Sequence, residues 1–145
     1  MLRKFLPSVV EHSPEAVVVV ADNGSTDNSV EVVEQEFPEV EIIRLDENYG
    51  FAEGYNRALA QVTTPYSVLL NSDVEVTAGW LKPLLAFMDA HPEAAAVQPK
   101  ILNYNHKDTF EYAGAAGGFI DSLGYPYCRG RIMGDVEKDL GQYDG

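Results

Sequence analysis

One cysteine, three histidines and one tryptophan occur in 145 residues, and ten Lys and Arg stand against 23 Asp and Glu. A lone Cys128 forms no intrachain disulfide, which fits a reducing compartment. His12, His91 and His106 are scattered, so no zinc-like spacing exists, and each reads as a surface or capping residue. Long apolar runs are missing too. The longest, residues 16–21, is strand-sized, far below the ~20 residues of a membrane span. The leading segment carries charges and lacks an apolar signal-peptide core, so membrane association is not expected to be encoded in this chain. The shortage of positive charge leaves a formal net charge of −13, which disfavours nucleic acid as a partner. It would also repel a phosphorylated small molecule unless a metal ion or helix N-termini compensate. A phosphate-binding role here therefore nearly requires a cation.

The length suits one domain with a real core but is small for a complete two-substrate enzyme. Leu2, Phe5, Leu6, Val9 and Val10 follow helical spacing and predict an amphipathic opening helix. Residues 16–21 (AVVVVA) read as a strand buried on both faces. Ser25 or Thr26 is suited to cap the next helix, whose inner stripe would be Val30, Val33 and Phe37. A strand over 40–45, a helix over 52–62, a strand over 66–70, a helix carrying Leu81, Leu84, Leu85 and Met88, and a short strand over 94–97 complete the series. Pro83 implies a late start or a kink in that last helix. The alternation predicts an α/β fold, a doubly wound, mostly parallel sheet with helices on both faces. Residues 1–98 would be its regular core. Residues 99–145, including the 112–118 stretch YAGAAGG, read as mostly loop and partly mobile.

Three predicted strands end in polar corners, where open parallel sheets bind ligands. The first is Asp22-Asn23-Gly24-Ser25-Thr26-Asp27, where Asp22 could accept hydrogen bonds from a base or ribose. The second is Asn48-Tyr49-Gly50-Phe51-Ala52 with Glu53, Gly54, Tyr55 and Asn56; its glycines permit close backbone approach, and Asn56 could face the crevice. The third is Asn71-Ser72-Asp73-Val74-Glu75, whose oxygen ligands suit a hard divalent cation binding through one or two carboxylates plus substrate phosphates. Taken singly, each is also an ordinary turn or helix cap. Residues 71, 73 and 75 share one side only if the backbone stays extended.

These three corners, with Leu69-Leu70 before the third, resemble in order and spacing the family-2 glycosyltransferases of GT-A fold, rhamnosyltransferase-like members above all. The similarity covers residues 1 to about 120. It implies a nucleoside-diphosphate sugar as donor, a saccharide or lipid-linked acceptor, and transfer to an acceptor hydroxyl with inversion. It further implies donor-binding roles for Asp22, Asn23, Ser25, Asp27, Gly50, Phe51, Gly54, Asn56, Asn71 and Asp73. Asp73 would hold Mg²⁺ or Mn²⁺, while Asn71 stands where many members carry an Asp; Glu75 could ligate or stay solvated, and the solvated reading is favoured. Cell-surface polysaccharide biosynthesis, in the cytoplasm and at the inner face of the membrane for a full-length protein, follows from the same likeness.

Family members have a strand before the first helix and a C-terminal acceptor region with the general base. Here Met1 falls inside the predicted helix, so the chain is expected to be a donor-binding core clipped at both ends, inactive alone. No catalytic base is assigned, because Asp121, Asp135, Glu137 and Asp139 lie in a charge-rich loop read as solvated. Two rival readings stand. Asp73-x-Glu75-x-Thr77 loosely mimics the signature of haloacid-dehalogenase phosphatases, though it follows the third strand and carries Glu. A non-catalytic α/β interaction module would use its acidic loops only for solubility.

Overall fold

The computed structural model describes residues 1–111 and 116–143, so residues 112–115 of the predicted 112–118 loop lie outside the described residues. The chain divides into two compact units, Met1–Leu81 and Lys82–Gly145.

The first unit runs α1 (Leu2–His12), β1 (Val19–Asn23), α2 (Ser29–Glu36), β2 (Glu41–Leu45) and α3 (Gly50–Leu59). β1 and β2 are parallel and in register from Val19 opposite Glu41 to Asn23 opposite Leu45. Leu6, Val33 and Val40 form the buried core, with Leu2, Val9, Val18, Val20, Phe37 and Ile42 packed against it. The even-numbered side chains of β1 thus face α1 and α2. Asn23 belongs to the alternate set, and its side chain meets Gly54 of α3, so helices cover both faces of this small sheet. Outside the core, Arg3 Nε and Nη2 donate to the Glu36 carboxylate at 2.6–3.0 Å, tying α1 to α2.

Four local expectations change. α2 starts at Ser29 with Asn28 as its cap residue, because Asp27 Oδ1 takes the Ser29 N–H at 3.0 Å and moves the start past Ser25 and Thr26. Val32 and Val33, not Val30, are the buried valines of that helix. Residues 66–70 make no ladder, and Val68 and Leu69 are 51% and 57% exposed. An apolar run becomes a strand only when an edge is there to pair with, and β1 pairs with β2 alone among the described residues. Residues 94–97 form no strand for the same reason. The α/β character holds, but the described residues contain a two-stranded parallel sheet where four strands are predicted. Residues 16–21 are accordingly only partly covered, with Val17 63% exposed. Beyond α3, Val76 N–H donates to Ser8 Oγ at 3.3 Å and Trp80 Nε1 to Ser13 Oγ at 3.1 Å, which fastens residues 76–80 to α1 and the turn after it.

α4 (Leu81–Ala90) carries Pro83 in its first turn, where the missing N–H leaves no bond unmade, so neither a late start nor a kink is required. Two antiparallel hairpins follow, β3 (Gly118–Ile120) with β4 (Pro126–Cys128) and β5 (Arg131–Ile132) with β6 (Asp135–Val136). Phe110 is fully buried and packs with Ala116, Leu102, Cys128, Val136 and Tyr143. Late carboxylates have structural partners: Asp121 accepts the Leu123 and Tyr125 N–H groups at 2.8 and 2.9 Å, Glu137 accepts Tyr143 Oη at 2.9 Å, and Asp139 pairs with Lys100 at 2.7 Å.

Gly130 sits at φ +84°, and a Cβ there would lie 2.6 Å from the Phe110 ring. Gly130→Ala should therefore destabilise the second unit by about 1–3 kcal/mol through overpacking and backbone strain. Chemical denaturation followed by near-UV circular dichroism checks this; an unchanged midpoint would show that Phe110 yields freely.

Candidate functional site

β1 and β2 end side by side, and their exits are fastened together. Asn23 Nδ2 donates to Gly50 O at 2.8 Å and to Asn48 Oδ1 at 3.3 Å, while its Oδ1 accepts the Tyr49 N–H at 3.0 Å. Asn48 Oδ1 also accepts the Gly50 N–H at 2.9 Å. Gly24, at φ +72°, lets the first turn lie against the second, since a Cβ would meet Glu47 C at 2.6 Å and Asn48 N at 2.7 Å. Gly54 serves the same end from α3, because a Cβ there would stand 2.8 Å from Asn23 Nδ2. Both glycines are thus demanded by close approach. Tyr49 Oη donates to Asp46 Oδ1 at 2.6 Å, and the Arg57 guanidinium lies 3.7 Å over the Tyr49 ring. The Tyr49 hydroxyl holds the Asp46 carboxyl below the usual range, and Asp46 in turn raises the Tyr49 phenol.

Beside this corner lies a cavity of about 610 Å³. Asn23, Gly50, Phe51, Gly54, Asn71 and Asp73 all line it, together with Tyr55, Ser72 and an apolar interior. Phe51 is 74% exposed and meets Tyr55 edge-on at 5.1 Å between centroids. Tyr55 Oη reaches Leu70 O at 3.4 Å, joining α3 to the third exit. Ser72 and Asp73 sit in a turn, not an extended strand, so Glu75 leaves the set that Asn71 and Asp73 enter.

The other four candidates do not line the cavity. Asp22 is buried on the opposite face from Asn23, as strand alternation requires, and its Oδ1 accepts the Ser25 N–H at 3.2 Å. Ser25 is exposed in that turn. Asp27 is spent on the Ser29 N–H, and hydrogen bonding to Ser29 lowers its pKa. Asn56 is exposed two residues after Gly54, which on a helix points it away from Gly54. Asn48, Tyr49 and Tyr55 were not among the candidates; their roles come from partners far away in sequence, and only the strand-exit position marks Asn48 and Tyr49.

No Lys, Arg or His among the described residues lines the cavity. Among the described residues, no group of three or more His, Cys, Asp or Glu side chains could hold a metal ion by itself. Asp73 with the Asn71 amide instead fits a cation whose remaining ligands come from substrate phosphates and water.

Comparison with known proteins gives the family. Residues 1–132 match the family described as Glycosyl transferase family 2. The chain belongs to this family. Over 112 residues it is 30% identical to an N-acetylglucosaminyl-diphospho-decaprenol L-rhamnosyltransferase of Mycobacterium tuberculosis (strain ATCC 25618 / H37Rv), covering 69% of this chain and 36% of the relative. It is 28% identical over 119 residues to Polypeptide N-acetylgalactosaminyltransferase 4 of Caenorhabditis elegans, covering 77% and 20%. With a teichoic acid poly(glycerol phosphate) polymerase of Staphylococcus epidermidis it shares 29% identity over 94 residues, 52% of this chain and 13% of the relative. The chain thus spans roughly a third or less of each of these relatives. No solved structure matches at a comparable level. None of these findings supports the phosphatase reading.

Two outcomes follow for this family-2 chain. In Tyr49→Phe, Asp46 loses its main stabilising donor, so its titration midpoint should rise towards the ordinary carboxylate range. Because the folded pKa is depressed, the stability linked to Asp46 is present above the ordinary carboxylate range and fades as pH falls through the folded value. Carboxyl-carbon NMR titration reads this directly, and an unmoved midpoint would place the cause elsewhere. In Asn23→Ala, the Tyr49 N–H and Gly50 O lose their partner; about 1–3 kcal/mol of stability should go with them, measured by urea unfolding.

Proposed function

We propose that this chain is the donor-binding part of an inverting glycosyltransferase, a partial nucleotide-sugar-binding domain built around β1 and β2 as the start of a doubly wound GT-A sheet. The observation that carries the reading is one cavity lined by the exit of β1 at Asn23, by the turn at Asn71–Asp73 and by the start of α3 at Gly50, with no basic side chain among the described residues to meet phosphate. A diphosphate has to be neutralised there by something other than Lys or Arg. The dipole at the start of α3 contributes, and Asp73 would hold Mg²⁺ or Mn²⁺ with Asn71 beside it. When bound, such a cation supplies charge against the departing diphosphate.

The chain's own residues would divide the remaining work. Phe51 offers an exposed ring at the cavity lining on which a base can stack. Asn71 donates or accepts at the ribose or sugar, as an amide does. Asn23 acts by holding the 48–50 turn rather than by touching the donor, a change from the direct role that the family resemblance implies. Asp22, Ser25 and Asp27 shape the turn behind it, and Asn56 stays on the solvent side of α3. In the complete reaction an acceptor hydroxyl attacks the anomeric carbon, its proton passes to a carboxylate base, and the bond to the diphosphate breaks with inversion.

The mycobacterial relative's name places a decaprenol-linked diphospho-sugar as its acceptor, which supports a saccharide or lipid-linked acceptor and a role in cell-surface polysaccharide synthesis at the cytoplasmic face of a membrane. Among the described residues no helix is long and apolar enough to cross a membrane.

Calorimetric titration with UDP, dTDP and GDP, with and without Mn²⁺, tests the reading. Binding should require the metal, and Asp73→Ala should weaken it at least tenfold, or about 1.4 kcal/mol. Metal-dependent binding that survives Asp73→Ala would remove Asp73 from the role.

A further inference from the structure

The corner that fastens β1 to the 48–50 turn contains a chemically labile pair. Asn23-Gly24 is the one Asn-Gly step in the sequence. Asparagine is among the thermolabile residues, and a following glycine has no side chain to shield its nitrogen. The corner demands that glycine, because a Cβ on Gly24 would meet Glu47 C at 2.6 Å and Asn48 N at 2.7 Å. Close packing thus forces a reactive sequence onto the position that the junction depends on. The same packing restrains the reaction. Asn23 is the last residue of β1, held extended opposite Leu45. Its Oδ1 accepts the Tyr49 N–H at 3.0 Å and its Nδ2 donates to Gly50 O at 2.8 Å, so the carboxamide is aimed at the neighbouring turn. To reach the Gly24 nitrogen, Asn23 Cγ must leave both partners and swing back over its own peptide bond.

We propose that Asn23 is a deamidation site governed by opening of this corner, slow while the bonds to residues 48–50 hold and fast once they release. In the reaction the Gly24 nitrogen gives its proton to hydroxide and bonds to Asn23 Cγ. The Cγ–Nδ2 bond then breaks, and ammonia leaves with a proton taken from water, so a five-membered succinimide forms and hydroxide is returned. Water opens that ring at either carbonyl, leaving Asp or an isoaspartyl link. Neither product refits the corner. In Asp, a carboxylate oxygen faces Gly50 O and Asn48 Oδ1, two acceptors where an amide donor stood. The isoaspartyl link adds a methylene to the main chain beside Gly24, which is packed against Glu47 and Asn48. The modification therefore dismantles the junction for good. It is independent of the donor reading, since no ligand takes part.

The test is peptide mapping by mass spectrometry of the chain aged in mildly alkaline buffer, folded and unfolded in urea. In urea, conversion at Asn23 should outrun that at Asn28-Ser29 and Asn71-Ser72, two steps exposed at their asparagines in the fold. In native buffer the Asn23 rate should fall by about tenfold or more, because reaction waits on local opening. Asn48→Ala removes one acceptor of Nδ2 and the partner of the Gly50 N–H, and should raise the native rate by about threefold or more. In Asn23→Asp, amide exchange at Gly50 should quicken by about tenfold. The proposal is overturned if Asn23 converts equally fast in both buffers, if it stays intact in urea while Asn28 or Asn71 converts, or if Gly50 exchange is unmoved in Asn23→Asp. The wild-type chain in the two buffers decides the matter even where a variant fails to fold.

Discussion

The Asn23 carboxamide meets three groups of the 48–50 turn at once, and the rest of the candidate site hangs on that junction. It converts two neighbouring strand ends into one rigid corner, with both amide atoms of the side chain satisfied. Gly24 and Gly54 are needed because the corner leaves no room for a Cβ on either side. The start of α3 is fixed by the same contacts, since Gly50 is both a partner of Asn23 and the first residue of the helix. Phe51 and Tyr55 then follow at the cavity, and Tyr55 reaches the third exit through Leu70. The network is partly exposed, and it holds the corner because one side chain meets three groups of the same turn.

Charge sets the second constraint. The chain is strongly acidic, and among the described residues no basic side chain lines the cavity. Asp73 would oppose an anion if it acted alone. With a divalent cation the same carboxylate becomes a ligand, and acidity at the rim turns from an obstacle into the means of holding a diphosphate. The proposed cation dependence rests on this electrostatic argument.

Local elements were legible where the pattern contained its own partner. α1, β1, α2, β2 and α3 follow from periodicity, because α1 and α2 bury their stripes against strands adjacent in sequence. Residues 66–70 look equally strand-like, but a ladder belongs to two edges, and composition cannot supply the missing one. The second unit shows the same limit, since the packing of Phe110 under Gly130 depends on a contact twenty residues apart with no periodic signature. At the site, glycine-rich corners were visible, whereas the division of labour was not. Adjacent Asp22 and Asn23 point to opposite faces, and only placement of β1 between the helices shows that Asn23 reaches the cavity. Asn48 and Tyr49 matter through bonds to Asn23, 25 and 26 residues away.

Cation-dependent occupation of the rim between Gly50 and Asp73 is the central claim, and paramagnetic relaxation tests it most directly. With a nucleoside diphosphate present, substoichiometric Mn²⁺ should broaden the amide signals of Gly50, Phe51, Ser72 and Asp73 first. Broadening confined to the acidic segments after residue 99, or independent of the nucleotide, would contradict a donor site at this corner.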